Sequence, residues 1–163
     1  MRSKLILIAV LVLAIAVGGC TTANQSPAAP PQAQPDANAR NNLDWAGVYQ
    51  GVVPSAGGMG IKVQLVLSEH QTQGGTFELT YEYLEGEQTV PEIGSAAWAE
   101  WSGRVGSESG TFEWDETGNV IRLDVANWPP YYRVGENIIT QLDMSGNLIT
   151  GALAEQYVLT KVG

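Results

Sequence analysis

The chain has 163 residues, 8 Lys+Arg against 17 Asp+Glu for a formal net charge of −9, and a single cysteine. That acidity excludes nucleic acid as a partner and gives the surface no electrostatic reason to lie on anionic head groups. One cysteine leaves no intrachain disulfide, so the fold stands without a covalent staple.

The chain opens with Arg2 and Lys4 and an unbroken apolar run over residues 5–17. A positive start followed by so short an apolar run reads as an export leader, not a membrane-spanning helix. Gly18 and Gly19 then precede Cys20 directly. Apolar, small, small, Cys resembles the bacterial lipoprotein signal, in which the cysteine is acylated and becomes the first residue of the mature protein. The resemblance implies a leader at 1–19, a covalent diacylglycerol and acyl chain on Cys20, and attachment to the membrane through that lipid. Thr21, where an inner-membrane lipoprotein would carry Asp, implies the outer membrane, with the domain facing the periplasm. Two or more acyl chains, at about 0.8 kcal/mol per buried CH₂, anchor stably where one would not. Loss of Arg2 and Lys4 with the leader takes the net charge from −9 to −11.

Residues 20–43 are rich in Pro, Ala, Gln and Asn and lack apolar periodicity. Such a segment cannot bury enough surface to offset ordering. It is expected to be a tether whose ends lie roughly 25–30 Å apart as a flexible coil, or roughly 70 Å when drawn out. The Trp, Tyr and Phe residues all follow position 44, and residues 44–163 are expected to form one domain with one core.

From Trp45 the pattern is that of strands. Residues 45–53 are β-rich and end at Pro54, and a loop of small residues occupies 55–60. Ile61, Val63, Leu65 and Leu67 alternate with Lys62, Gln64, Val66 and Ser68; after a polar turn, Phe77, Leu79, Tyr81 and Tyr83 alternate in the same way. Period two predicts a long antiparallel hairpin. Residues 96–105 are read as a further strand, with a bulge to reconcile Trp98 and Trp101. Asp115-Glu116-Thr117-Gly118-Asn119 and Asp143-Met144-Ser145-Gly146-Asn147 are read as hairpin turns, because Asp bonds the backbone ahead of it and Gly takes the left-handed position. Neither has the alternating oxygen ligands and distal acid of a calcium loop. Residues 131–134 and 156–161 supply the remaining strands. Eight to ten short strands with no long helical pattern predict an all-β barrel or sandwich.

Trp45-x-Gly47-x-Tyr49-x-Gly51, Val53-Pro54, Gly60-Ile61, Trp114-Asp115-x-x-Gly118-Asn119-x-Ile121-x-Leu123, Tyr132-Arg133-Val134-Gly135-Glu136-Asn137 and Tyr157-Val158-Leu159-x-Lys161 occur in this order. Together they resemble the NlpE N-terminal-domain family of outer-membrane lipoproteins, linked to copper resistance and envelope stress. The resemblance implies a small antiparallel up-and-down β-barrel of about eight strands, lipocalin-like. It also implies a role in envelope homeostasis or copper tolerance exercised through an envelope protein partner. The family often carries Cys-x-x-Cys after Pro54. Those positions are Ser55 and Gly58 here, and neither offers a thiolate.

No metal ligand set, cofactor or catalytic residue is therefore assigned. Met59 and His70 alone make a poor soft-metal site, and a single turn histidine with no free thiol gives little basis for nucleophilic catalysis. The candidate contact residues are Ser55, Gly58 and Met59 in the small-residue loop, and Trp128, Tyr131 and Tyr132 flanking Pro129 and Pro130. Two other functions fit the sequence: a lipocalin-like carrier of a small apolar ligand, and an inhibitor of a cationic enzyme such as lysozyme.

Overall fold

The computed structural model describes residues 37–70, 74–86, 89–100 and 104–163; Cys20, the leader and the tether through residue 36 lie outside them, as does Trp101. The strands are β1 (Gly47–Val53), β2 (Ile61–Glu69), β3 (Gly74–Tyr83), β4 (Arg104–Trp114), β5 (Val120–Leu123), β6 (Tyr131–Gly135), β7 (Ile138–Gln141) and β8 (Val158–Val162). Each pairs antiparallel with the next, and β1 pairs with β8 through Val48↔Val162, Tyr49↔Lys161 and Gln50↔Thr160. The result is a closed up-and-down barrel, as the family pattern implies, and the choice between barrel and sandwich is settled.

Alternation along the strands fills the interior. Tyr49, Leu65, Phe77, Leu79, Phe112, Ile121, Leu123, Tyr132, Ile139 and Leu159 are all buried. Glycines stand where rings need their space. The Tyr81 ring occupies the position a side chain on Gly106 would take, and the Phe112 ring passes 2.6 Å from where a Cβ on Gly75 would sit. Trp45 packs edge-on against Phe112 and Trp114, at 5.6 and 5.4 Å between ring centroids.

In an up-and-down barrel the connections alternate between the two ends. At the entry end β2 gives way to β3, and short turns span 115–119 and 136–137; at the other, the loop end, lie 54–60, the described parts 84–86 and 89–100 between β3 and β4, 124–130 and 142–157. The Asp115 turn matches its sequence reading. Asp115 Oδ1 accepts from the Asn119 and Val120 N–H groups at 3.1 and 3.0 Å, and Gly118 takes a φ of +68°. The Asp143 turn repeats the design, with Ser145 and Asn147 N–H groups both donating at 2.8 Å.

Two expectations change. Residues 38–43, read as the end of the tether, belong to the barrel unit. Asn38 caps the one-turn helix α1 (Ala39–Asn42), the Ala39 N–H donates to Asn119 Oδ1 at 3.0 Å, and Ala39 is 4% exposed. A single turn is too short to show periodicity, and tertiary contacts alone hold it. The strand read over 96–105 is instead a 3-10 turn, Ala96–Ala99, followed by β4 from Arg104. Trp98 in that turn is fully buried, against the outer wall of the barrel.

Candidate functional site

The six candidate contact residues all lie at or near the loop end, but they divide into two groups. Ser55, Gly58 and Met59 line an open groove of about 720 Å³ between the 55–59 loop and residues 84–86. Met59 is 61% exposed there. Ser55 Oγ is buried with no hydrogen-bond partner, and a Cβ on Gly58 would stand 3.1 Å from it. The structure thus brings together the two positions where the family places its thiols. The donors that remain are a hard hydroxyl and one soft thioether, and a single soft donor makes a poor site for a soft metal. His70 cannot complete a set with Met59. It is exposed at the entry end, and the nine residues of β2 separate the two, roughly 30 Å at about 3.3 Å per residue.

Trp128, Tyr131 and Tyr132 behave differently. The two prolines carry the chain across the loop end, and Trp128 turns inward at 6% exposure. Its indole N–H donates to Tyr132 Oη at 2.6 Å, and its ring stacks on Tyr81 at 4.6 Å with an interplanar angle of 25°. Tyr132 is wholly buried, and burial pushes its hydroxyl well above the ordinary tyrosine range. Tyr131 is half-buried beside Gly146. Trp128 and Tyr132 therefore close the barrel and present no surface to a partner. Inward-facing side chains from all eight strands, Tyr49, Leu65, Phe77, Phe112, Ile121, Tyr132, Ile139 and Leu159 among them, are buried in the interior.

A second constellation escaped the sequence reading. On the outer wall, Lys62 and Glu82 form an ion pair at 3.5 Å, both side chains at most 3% exposed, with the Lys62 ammonium 5.4 Å from the Trp98 ring centroid. Beside it Gln50 bonds Gln64 at 2.8 Å and accepts the Gly94 N–H at 2.8 Å. These contacts fasten residues 94–98 over β1–β3 as a strap. The signal lies in the alternation of the two strands: antiparallel pairing of β2 with β3 sets Lys62 opposite Glu82, and two opposed charges on an outward face call for either water or a cover.

The fold and this site define a small closed up-and-down barrel with a filled core, whose surface features gather on long loops at one end. The NlpE N-terminal domain model matches residues 49–152, and the chain belongs to that family. Among solved structures, a Shewanella oneidensis protein designated a lipoprotein is 37% identical; the match covers 77% of this chain and 95% of that one, with a TM-score of 0.59. The Cpx pathway activator NlpE of Escherichia coli is 24% identical over 65% of this chain and 46% of its own, with a TM-score of 0.40. Comparison with curated proteins returns no match.

Proposed function

We propose that this chain is an outer-membrane lipoprotein, held by acyl chains on Cys20 with its barrel in the periplasm, that serves envelope homeostasis or stress signalling through protein contacts and without catalysis. Family membership across residues 49–152 carries the reading. The leader pattern around Cys20 supports the anchor, and Thr21 the outer membrane. The buried inward side chains of all eight strands support contact over carriage. The groove beside Met59 is the contact surface, since it carries an exposed thioether over small residues that leave room for a partner. Any part in copper tolerance would run through such contacts, because the loop lacks thiolates.

The test is an envelope-stress reporter in cells with the gene deleted or overexpressed. Raised expression is expected to raise the reporter, and Met59→Asp to blunt the response without lowering protein level. An unchanged reporter together with no envelope phenotype on deletion would overturn the proposal.

A further inference from the structure

The barrel is closed, but not along its whole height. Toward β3, β4 is paired from Arg104 to Glu113. Toward β5 the ladder covers only Phe112–Trp114, with one last bond from the Asp124 N–H to the Thr111 C=O at 3.0 Å. In an antiparallel strand the N–H and C=O of one residue point the same way, and the direction alternates along the chain. Thr111 faces β5, so Ser109, Ser107 and Val105 face that side as well. Among the described residues no backbone group meets them there. Past Asp124 the chain turns across the barrel end instead, and the Ala126 and Asn127 N–H groups go to the Glu108 carboxylate at 2.8 and 3.3 Å.

Three residues thus hold out their N–H and C=O groups along an unpaired edge. Natural edges are guarded by charged side chains, lysine above all, by proline or by a bulge. Residues 104–114 contain neither lysine nor proline; their charges are Arg104, Glu108 and Glu113, while Val105, Ser107 and Ser109, the residues that face the open side, are uncharged and exposed. The surroundings are acidic. Glu78 lies opposite Ser109 across the β3–β4 pair, and shallow depressions of about 230 and 260 Å³ on this wall are lined by Glu78, Glu108, Glu113 and Asp124 with Arg122 as the one cation.

We propose that the β4 edge at residues 105–109 takes up an extended, Lys- or Arg-bearing segment of another protein as an added strand. Main-chain bonds would supply affinity, and the carboxylates beside the edge would select positive charge. A second copy of this chain is disfavoured as the occupant, because each copy carries a net charge of −9 and would bring the same carboxylates to the seam. The proposal is independent of the Met59 groove.

The experiment uses the full chain in detergent with a short capped peptide of alternating Lys and Val, and a control in which Glu replaces Lys. The Lys peptide is expected to protect the Val105, Ser107 and Ser109 amides from hydrogen exchange, with affinity falling as salt rises. Ser107→Pro removes one edge donor while leaving the β3 ladder intact, and is expected to weaken binding about tenfold. Ser109→Lys repels the peptide without touching the backbone and is expected to weaken it comparably. It decides the matter if the proline variant loses its fold. Met59→Asp should leave peptide affinity unchanged, which separates this proposal from the groove. Absent protection, equal binding of both peptides, or protection in the free chain that grows with protein concentration would each overturn it, the last by naming a second copy as the occupant.

Discussion

Trp128 joins two readings of one residue. Its proline neighbours mark an extended loop, yet its indole finishes the core by stacking on Tyr81 and bonding Tyr132. Trp128→Ala is expected to destabilise the barrel by about 3–5 kcal/mol. Tyr132→Phe, which strands a buried indole N–H, should cost about 1–3 kcal/mol. Urea unfolding followed by tryptophan fluorescence reads both. The two turn aspartates set a pH dependence. Burial alone would raise Asp115, but hydrogen bonds from Val120, Thr117 and Asn119 outweigh it and hold the carboxyl below its usual range. Backbone N–H groups of Asn147 and Ser145 depress Asp143. Each folded-state pKa lies below the unfolded value of about 4, so their stabilisation is complete above that value and is lost as pH falls through the folded ones. The melting temperature should therefore drop as pH falls below about 4, and Asp115→Asn with Asp143→Asn should flatten that slope.

Short elements tie the barrel's accessories to its walls. Gly118 holds a left-handed φ, and a Cβ there would stand 2.7 Å from the Asn38 side chain. Gly118→Ala is expected to cost about 1 kcal/mol or more and to speed hydrogen exchange at the Ala39 amide, since α1 docks on this turn. The strap depends on Trp98. Trp98→Ala should open residues 89–100 to limited proteolysis while β1–β3 stay protected, a difference that peptide mapping would show. These elements also mark how far the sequence could be read. Alternation gave β2 and β3 outright, because one face of each is buried and the other largely wet. The Asp-x-x-Gly-Asn turns were legible because their chemistry is local. The turn at Trp98 and the single helical turn at Ala39 were not, since both owe their shape to partners far away in the chain. The inward course of Trp128 was hidden for the same reason: nothing near it in sequence announces Tyr81.

At the scale of the whole molecule, the inward side chains of every strand are buried, and the two proposed contact surfaces, the groove at the loop end and the edge of β4, lie outside that core. In the groove, Ser55 and Gly58, the positions set against the family's Cys-x-x-Cys by resemblance, stand close together. The 3.1 Å from Ser55 Oγ to a Cβ at Gly58 is close to the about 3 Å that a disulfide places between one sulfur and the partner Cβ. Ser55→Cys with Gly58→Cys is expected to form that bond under oxidising conditions, seen as the loss of two hydrogens in the intact mass. Cu(I) should bind the reduced double variant and not the parent chain.

Closure itself has a consequence in time. The strand that seals the barrel, β8, emerges after the other seven, and it zips to β1, the first of them, with Lys161 reaching Asp44 at 3.1 Å. Pairing across so long a stretch must wait until all eight strands are present, and such contacts form slowly. A chain passing N-terminus first through a narrow channel therefore cannot finish its barrel inside or behind it. The topology acts as a timer, holding the polypeptide threadable until its final strand arrives and only then letting it lock.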